Sequence, residues 1–443
     1  MNKDLYEAYD HFKRVHPRYS ALFDYYDGNQ PLRYTTERLR EAFDQRDVKF
    51  RQNWCAVVVN SVLDRLELFG WSAGDERVSE MLAEVWTRTG LALESNEVHE
   101  TALITGESYL IGWKEDGGDL EFYYNDPRRC WVCYDEDRPK VKRYAAKWYD
   151  SPAGARMMLY YPDRIEYYSA EKSFKEIGID NGGAGAFRLE DEAVNPYGII
   201  PVFHFRNGLR RMKSELQNVT ELQDAINKLL CDMMVTAEFS AFPARYVISN
   251  ADIAELRNSP NQIWDLPAGI DGGQSTQVGT LAAADLANYS DQIDRLASSI
   301  AIITSTPKHY FSSTSDALSG EALITMEAPL VKKVQNRREL FGDTWAEVGA
   351  FACLLEGVAI DKVDIIPQWG KAESEQPLTE TEIIRNYIGA GLSKKTALRL
   401  SGYTAAEIAL IEEEAAEEKA ASASLGSLLL ENARAEDSRS DEA

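Results

Sequence analysis

Apolar positions recur along this chain with two different periods, and the change of period divides it. Up to about Leu93 the spacing is helical. The run NWCAVVVNSVLDRLELFGW places Val58, Val62, Leu66 and Phe69 on one face and predicts a helix ended by Gly70. Asp27-Gly28-Asn29 and Pro31 interrupt an earlier helix, and a further helix is predicted over 78–89. After SNEVHETALITG the period shortens to two. Strands are predicted at 108–113, 120–125, 130–134, 141–149, 157–162 and 164–169, separated by turn residues such as Asp116-Gly117-Gly118 and Asn125-Asp126-Pro127. NPYGIIPVFHFRN (195–207) closes this antiparallel α+β module with a last strand.

From residue 213 the helical period returns in longer runs. Leu216, Val219, Leu222, Ile226, Leu229, Met233 and Ala237 form one stripe on a helix over 213–239, about 37 Å long at 1.5 Å per residue. Leu286, Tyr289, Ile293, Leu296, Ile300 and Ile303 form a narrower seam on a second helix over 282–304. Such a seam requires another helix against it, from this chain or a neighbour. Between the two lie short strand-like runs at 244–250 and 262–267 and the Gly-rich turn AGIDGGQST. A polar, Ser-rich stretch follows at 305–318 and reads as a flexible loop. Then Leu323, Met326, Leu330, Val334, Phe341, Trp345, Val348, Ala352 and Leu355 carry a long helix from an N-cap at Ser319 to about Gly357, with Pro329 expected to kink it.

Charge changes this picture more than composition does. The 443 residues are 44% hydrophobic and 27% charged, as in a folded protein. No stretch is long and apolar enough to span a bilayer, and the charged N-terminus lacks the core of a signal peptide. Five scattered cysteines (Cys55, Cys130, Cys133, Cys231, Cys353) without an export signal point to a reducing cytoplasm. The formal net charge is −24, which argues against a protein that reads nucleic-acid sequence. Residues 405–443 hold 11 Asp or Glu against 3 Lys or Arg and predict a helix fraying into disorder.

Against that background Lys332, Lys333, Arg337 and Arg338 form a tight basic cluster on the long helix, just after a loop carrying Lys308, His309, Ser312 and Ser313. A solvated face is the ordinary reading of such a cluster, and contact with something negatively charged is the other. Cys130-Trp131-Val132-Cys133 has the spacing of a redox or zinc pair. It lies inside a strand-like run, where residues three apart face opposite sides, and no second pair completes a metal site. The chain has no HExxH, GxSxG, GxxxxGK[ST] or GxGxxG. No catalytic residue, cofactor or metal is expected.

In order, FDYYDGNQP, NWCAVVVNSVLDRLELFGW, HETALITGESYLIGW, NPYGIIPVFHFRN and SGEALITMEAPLVKKVQNRRELFG resemble motifs of the portal proteins, or head-to-tail connectors, of tailed bacteriophages of the siphovirus type. The resemblance covers nearly the whole chain. It implies a homo-oligomeric ring, typically of twelve copies, around a DNA channel at one capsid vertex of the virion, assembled in the host bacterial cytoplasm. The α+β part to residue 212 would be the wing. Residues 213–239 and 282–304 would be stem helices flanking a small β clip at 240–281. The tunnel loop would be 305–318, followed by a kinked long helix and return to the wing at 319–376, crown helices at 377–420 and an acidic tail at 421–443.

The resemblance also implies partners: double-stranded DNA bound without sequence specificity, the terminase large subunit, a head–tail adaptor, and major capsid and scaffolding proteins. Lys308, His309, Ser312 and Ser313 become candidate channel residues, and Lys332, Lys333, Arg337 and Arg338 candidate channel or intersubunit groups. Leu286, Tyr289, Ile293, Leu296 and Ile300 become a candidate intersubunit seam. The rivals are a cytosolic enzyme, a hydrolase or a thiol redox protein using Cys130 and Cys133, and another structural protein of a phage head.

Overall fold

A computed structural model describes residues 2–33, 51–114, 118–177, 183–208, 212–241, 245–248, 277–280, 284–311, 320–372, 377–401 and several positions between 403 and 415. Helix α1 (Lys3–Tyr26) starts where the Asn2 side chain accepts a hydrogen bond from the Asp4 N–H at 2.9 Å. It buries Leu5, Ala8, Tyr9, Phe12, Val15 and Tyr19 along one face. Helix α2 (Trp54–Leu63) is shorter than the sequence period predicts. Leu66 lies in the following turn, and Phe69 and Gly70 belong to β1 (Leu68–Ala73). The reason is distant: β1 pairs antiparallel with β12 (Ile365–Trp369), nearly three hundred residues further on, and the Trp71 indole N–H donates to the Trp345 carbonyl at 2.8 Å.

Helices α3 (Glu76–Arg88) and α4 (Leu91–Thr105) follow, close to the predicted segments. Gly106 ends α4 with φ 102, a conformation that favours glycine, and a Cβ there would meet the Met212 backbone at 2.9 Å. Then come β2 (Glu107–Lys114), β3 (Leu120–Asn125), β4 (Cys130–Tyr134), β5 (Lys142–Ser151), β6 (Gly154–Tyr160) and β7 (Arg164–Ser169), matching the predicted strands within a few residues. A single helical turn, α5 (Phe174–Ile177), precedes β8 (Arg188–Val194) and β9 (Val202–Arg206). β8 was not predicted because RLEDEAV has no apolar alternation; it is an almost wholly exposed edge strand held by β7.

The strands form a three-stranded sheet, β3-β2-β9, and a five-stranded sheet, β4-β5-β6-β7-β8. One face of the larger sheet packs under α1 through Tyr144, Trp148, Met157 and Leu159. Its other face meets the smaller sheet through Cys130, Val132, Tyr160, Tyr109 and Val202. Between them Glu107 is buried. It accepts hydrogen bonds from Tyr19 and Tyr109, and from His204 Nε2 at 2.9 Å. Burial pushes its carboxyl up, but the His204 and tyrosine hydrogen bonds outweigh that and hold it low.

Helix α6 (Thr220–Ala241) begins seven residues later than predicted. Residues 213–219 instead fold as turns pinned to the α4–β2 junction: the Glu215 N–H donates to the Leu103 carbonyl at 2.9 Å and Asn207 Nδ2 to the Lys213 carbonyl at 2.8 Å. A hairpin of β10 (Arg245–Ile248) and β11 (Gln277–Thr280) follows. β10 falls within the predicted 244–250 run, β11 was not predicted, and the 262–267 run lies outside the described residues.

Helix α7 (Ala287–Thr304) starts five residues later than expected, and α8 (Gly320–Leu355) runs through Pro329. The chain then returns to β12 (Ile365–Trp369), also unpredicted, and two further helices, α9 (Pro377–Gly389) and α10 (Lys394–Leu400). The largest core joins α2, α3, α4, the β1–β12 pair, the bases of α6 and α7, and α8, around Trp71, Trp86 and Trp345, whose rings lie 5.0–6.2 Å apart.

Candidate functional site

The predicted basic residues converge where α7 ends and α8 begins its inward course. Ser305, at φ 57, is the one non-glycine residue with positive φ among the described residues, and it turns the chain sharply off α7. Thr306 and Pro307 are buried, Lys308–Tyr310 form a turn of 3₁₀ helix, and Phe311 is buried edge-on to Trp54 at 5.7 Å. Residues 305–311 are therefore packed, where the sequence reads as flexible loop from 305. Ser312, Ser313 and Ser319 lie outside the described residues.

Two ionic clusters fix this segment. In the first, the Glu215 side chain, 7% exposed, receives Lys333 Nζ at 2.7 Å, Arg337 Nη2 at 2.8 Å and Nε at 3.0 Å, and Asn207 Nδ2 at 3.0 Å. Burial raises the carboxyl, but Lys333 and Arg337 more than offset it and hold Glu215 below the ordinary carboxylate range. Lys333 also donates to the Thr304 carbonyl at 2.9 Å, a cation at the negative end of α7. One buried acid thereby joins the turn before α6, the end of α7 and the middle of α8.

In the second cluster Arg65, at the end of α2, donates to the Tyr310 hydroxyl at 2.9 Å and to Glu327 at 3.2 Å, while Tyr310 donates to Glu327 at 3.0 Å. His309 Nε2 lies 4.0 Å from the same carboxylate. Arg338 donates to the Arg65 carbonyl at 3.2 Å through Nε and sits over the Trp369 ring at 5.7 Å. Lys308 pairs with Asp294 at 2.9 Å, both largely in solvent. Lys332 is exposed. Neither Glu215 nor Glu327 stood out in the sequence. Each is one carboxylate among 72, and the cations that pair with them, Lys333 and Arg337 for Glu215 and Arg65 for Glu327, lie far off in the chain.

The predicted seam behaves differently at its two ends. Ile300 is fully buried, and Ile293 and Leu296 pack against this chain's own core. Leu286 and Tyr289 are half-buried, and the Tyr289 hydroxyl meets Thr236 Oγ1 on α6 at 3.1 Å. Ile303, predicted as the last member, is 50% exposed. A straight helix drifts relative to a 3.5-residue seam, which brings Ala301 and Thr304 inward in its place. The seam's nearest partner is thus α6 of the same chain.

Cys130 and Cys133 enter separate cores on opposite faces of the larger sheet. Burial pushes Cys130 up to about 12 and Cys133 to about 11, so both stay thiols at neutral pH. Among the described residues no group of three or more His, Cys, Asp or Glu side chains is placed to hold a metal, and no helix is long and apolar enough to cross a membrane.

Residues 7–421 match the family described as phage portal protein, SPP1 Gp6-like. The chain belongs to that family. The portal protein of Mycobacterium phage D29 is 25% identical over 431 residues, covering 86% of this chain and 84% of the relative. The portal protein of Mycobacterium phage L5 is 24% identical over 320 residues, covering 65% and 62%. Among solved structures, a chain in the neck of an empty GTA particle computed with C6 symmetry aligns at TM-score 0.48 and 12% identity, covering 80% of this chain and 90% of that one. A chain from the virion of a native gene transfer agent particle gives 0.45 and 13%, covering 83% and 93%. This is a phage portal protein, and the thiol-enzyme reading gains nothing from its buried cysteines.

Proposed function

We propose that this portal protein closes into a ring of twelve copies at one vertex of a phage head and passes double-stranded DNA without reading its sequence. The family match across residues 7–421 carries the reading. In it residues 1–212 are the wing, α6 and α7 the stem, the β10–β11 insert the clip, and 377–420 the crown. The channel-facing segment is 305–318, which includes Lys308, and its residues 312–318 lie outside the described ones. The terminase large subunit, a head–tail adaptor, and capsid and scaffolding proteins are its partners, met during assembly in the host cytoplasm.

Charge supports a conduit rather than a clamp. Duplex DNA carries about one negative charge per 1.7 Å of axis, so a strongly basic lining would hold it. This chain carries −24 and spends Lys333, Arg337 and Arg338 on its own fold. Lys308 remains the better DNA candidate: its pair with Asp294 is solvent-exposed, weak, and exchangeable for a phosphate. Light scattering and negative-stain imaging test the ring. A particle of about twelve times 49.8 kDa with a central hole is expected. A chain that stays monomeric even when co-expressed with the other head proteins would overturn the proposal.

A further inference from the structure

We infer that a cleft between α1 and the five-stranded sheet is a docking site for an acidic peptide segment of a partner protein, one that presents a large apolar side chain among its carboxylates. The inference rests on this cleft alone and is independent of ring formation.

The cleft has a volume of about 510 Å3, with Lys13 and His16 from α1, Arg129 from the turn before β4 and Lys175 from α5 around an aromatic floor. Its charge is unusual for a chain of −24. Neighbouring cations are matched locally, as Arg128 is by Asp126 and Arg143 by Asp4 and Glu7. Lys13, Arg129 and Lys175 make no ion pair among the described residues. The lining carboxylate, Asp150, is already used: it accepts the Phe174 N–H at 2.7 Å and starts the α5 turn. Three cations thus line one concavity beside a single carboxylate, which leaves the cleft with an excess of positive charge.

The floor is fixed in advance. Trp148 donates its indole N–H to the Arg128 carbonyl at 2.8 Å, Phe174 stacks on it at 3.8 Å, and Tyr9 packs on Phe174 at 5.2 Å. A preformed apolar floor under a basic rim suits an apolar anchor flanked by carboxylates. A DNA duplex is convex and could touch only the rim. Stacking by a nucleotide base needs an open aromatic face, and Phe174 already covers Trp148. The opposite charges would steer a partner segment to this place and fix its register.

The probe is a fluorescein-labelled synthetic peptide, Glu-Asp-Glu-Leu-Phe-Glu-Asp-Glu, titrated with the full chain at low salt and followed by anisotropy. Saturable binding is expected, weakened about tenfold or more in the Lys13→Glu, Lys175→Glu double variant and by a probe with Gln in place of every acid. The Lys13→Gln, Lys175→Gln variant removes charge without reversing it. With an unchanged melting curve as control, it should lie between the two. Absence of saturable binding to the unaltered chain, or equal affinity for the charge-reversed one, would overturn the inference. Displacement of the peptide by an eight-residue oligo-dT at lower concentration would also overturn it and assign the cleft to single-stranded nucleic acid.

Discussion

Around Trp71, Trp86 and Trp345 the body of this portal protein covers its aromatic rings almost completely, whereas the arm built from α6 and α7 covers its apolar stripe only at the base. Leu216, Val219 and Ile226 are fully buried near the start of α6, but Leu229, Met233 and Ala237 further out are half-buried and Met234 is 43% exposed. On α7 the order is reversed along the chain and the same in space: Ala297, Ile300, Ala301 and Thr304 are buried at the base, while Leu286, Tyr289 and Ile293 are half-buried beyond it. Two adjacent helices can satisfy one face each and no more. The body is closed within one chain, and the outer arm is left with apolar surface that a neighbouring copy can cover.

The contrast breaks most severely at its closed end. Trp345→Ala removes a fully buried ring whose indole N–H donates to His99 at 2.8 Å, and should cost about 3–5 kcal/mol, read as a loss of the folded chain in urea titration. Glu215→Gln leaves Lys333 and Arg337 facing a neutral partner in a site closed from water, and should cost about 3 kcal/mol at pH 7. Because Glu215 is held below its ordinary value, its contribution is complete above the usual carboxylate range and is lost as pH falls through the lowered value. The gap in urea midpoint between the unaltered chain and Glu215→Gln should therefore shrink at pH 4. A gap independent of pH would remove Glu215 as the ionised hub.

At the open end the expected effects move from stability to assembly. Met234→Asp sits in water in the single chain and should change its stability by less than about 1 kcal/mol, yet reduce the fraction of chains recovered as rings. Ile293→Asp is a less discriminating probe, because Ile293 already packs on its own chain's core and its loss affects fold and assembly together. Lys308→Ala should be the mildest, within about 0.5 kcal/mol in stability. Its effect should appear in the amount of DNA packaged or retained. Unchanged packaging would take Lys308 out of the channel.

Local alternation and turn residues made β2 to β7 legible in the sequence, and the apolar stripe made α8 legible from end to end. What escaped was set by partners far along the chain. Nothing within Leu68–Ala73 announces that Ile365–Trp369 will draw it out of a helix. The Arg188–Val194 strand is held by pairing with Arg164–Ser169, since its own side chains are polar and exposed. The basic cluster was visible as a cluster, but its answer was not. Glu215 lies more than a hundred residues before Lys333, fixed by the turns at the α4–β2 junction. The seam was visible too, and only the fold showed that α6 of the same chain occupies part of it.

Amide hydrogen exchange, followed peptide by peptide along α6 and α7 before and after ring assembly, tests the difference between body and arm most directly. Residues 297–304 should be protected in the single chain already. Residues 229–241 and 287–293 should exchange readily there and become protected in the ring. Equal protection of the outer arm in both states would contradict the account, because the exposed stripe would then have no neighbour to cover it.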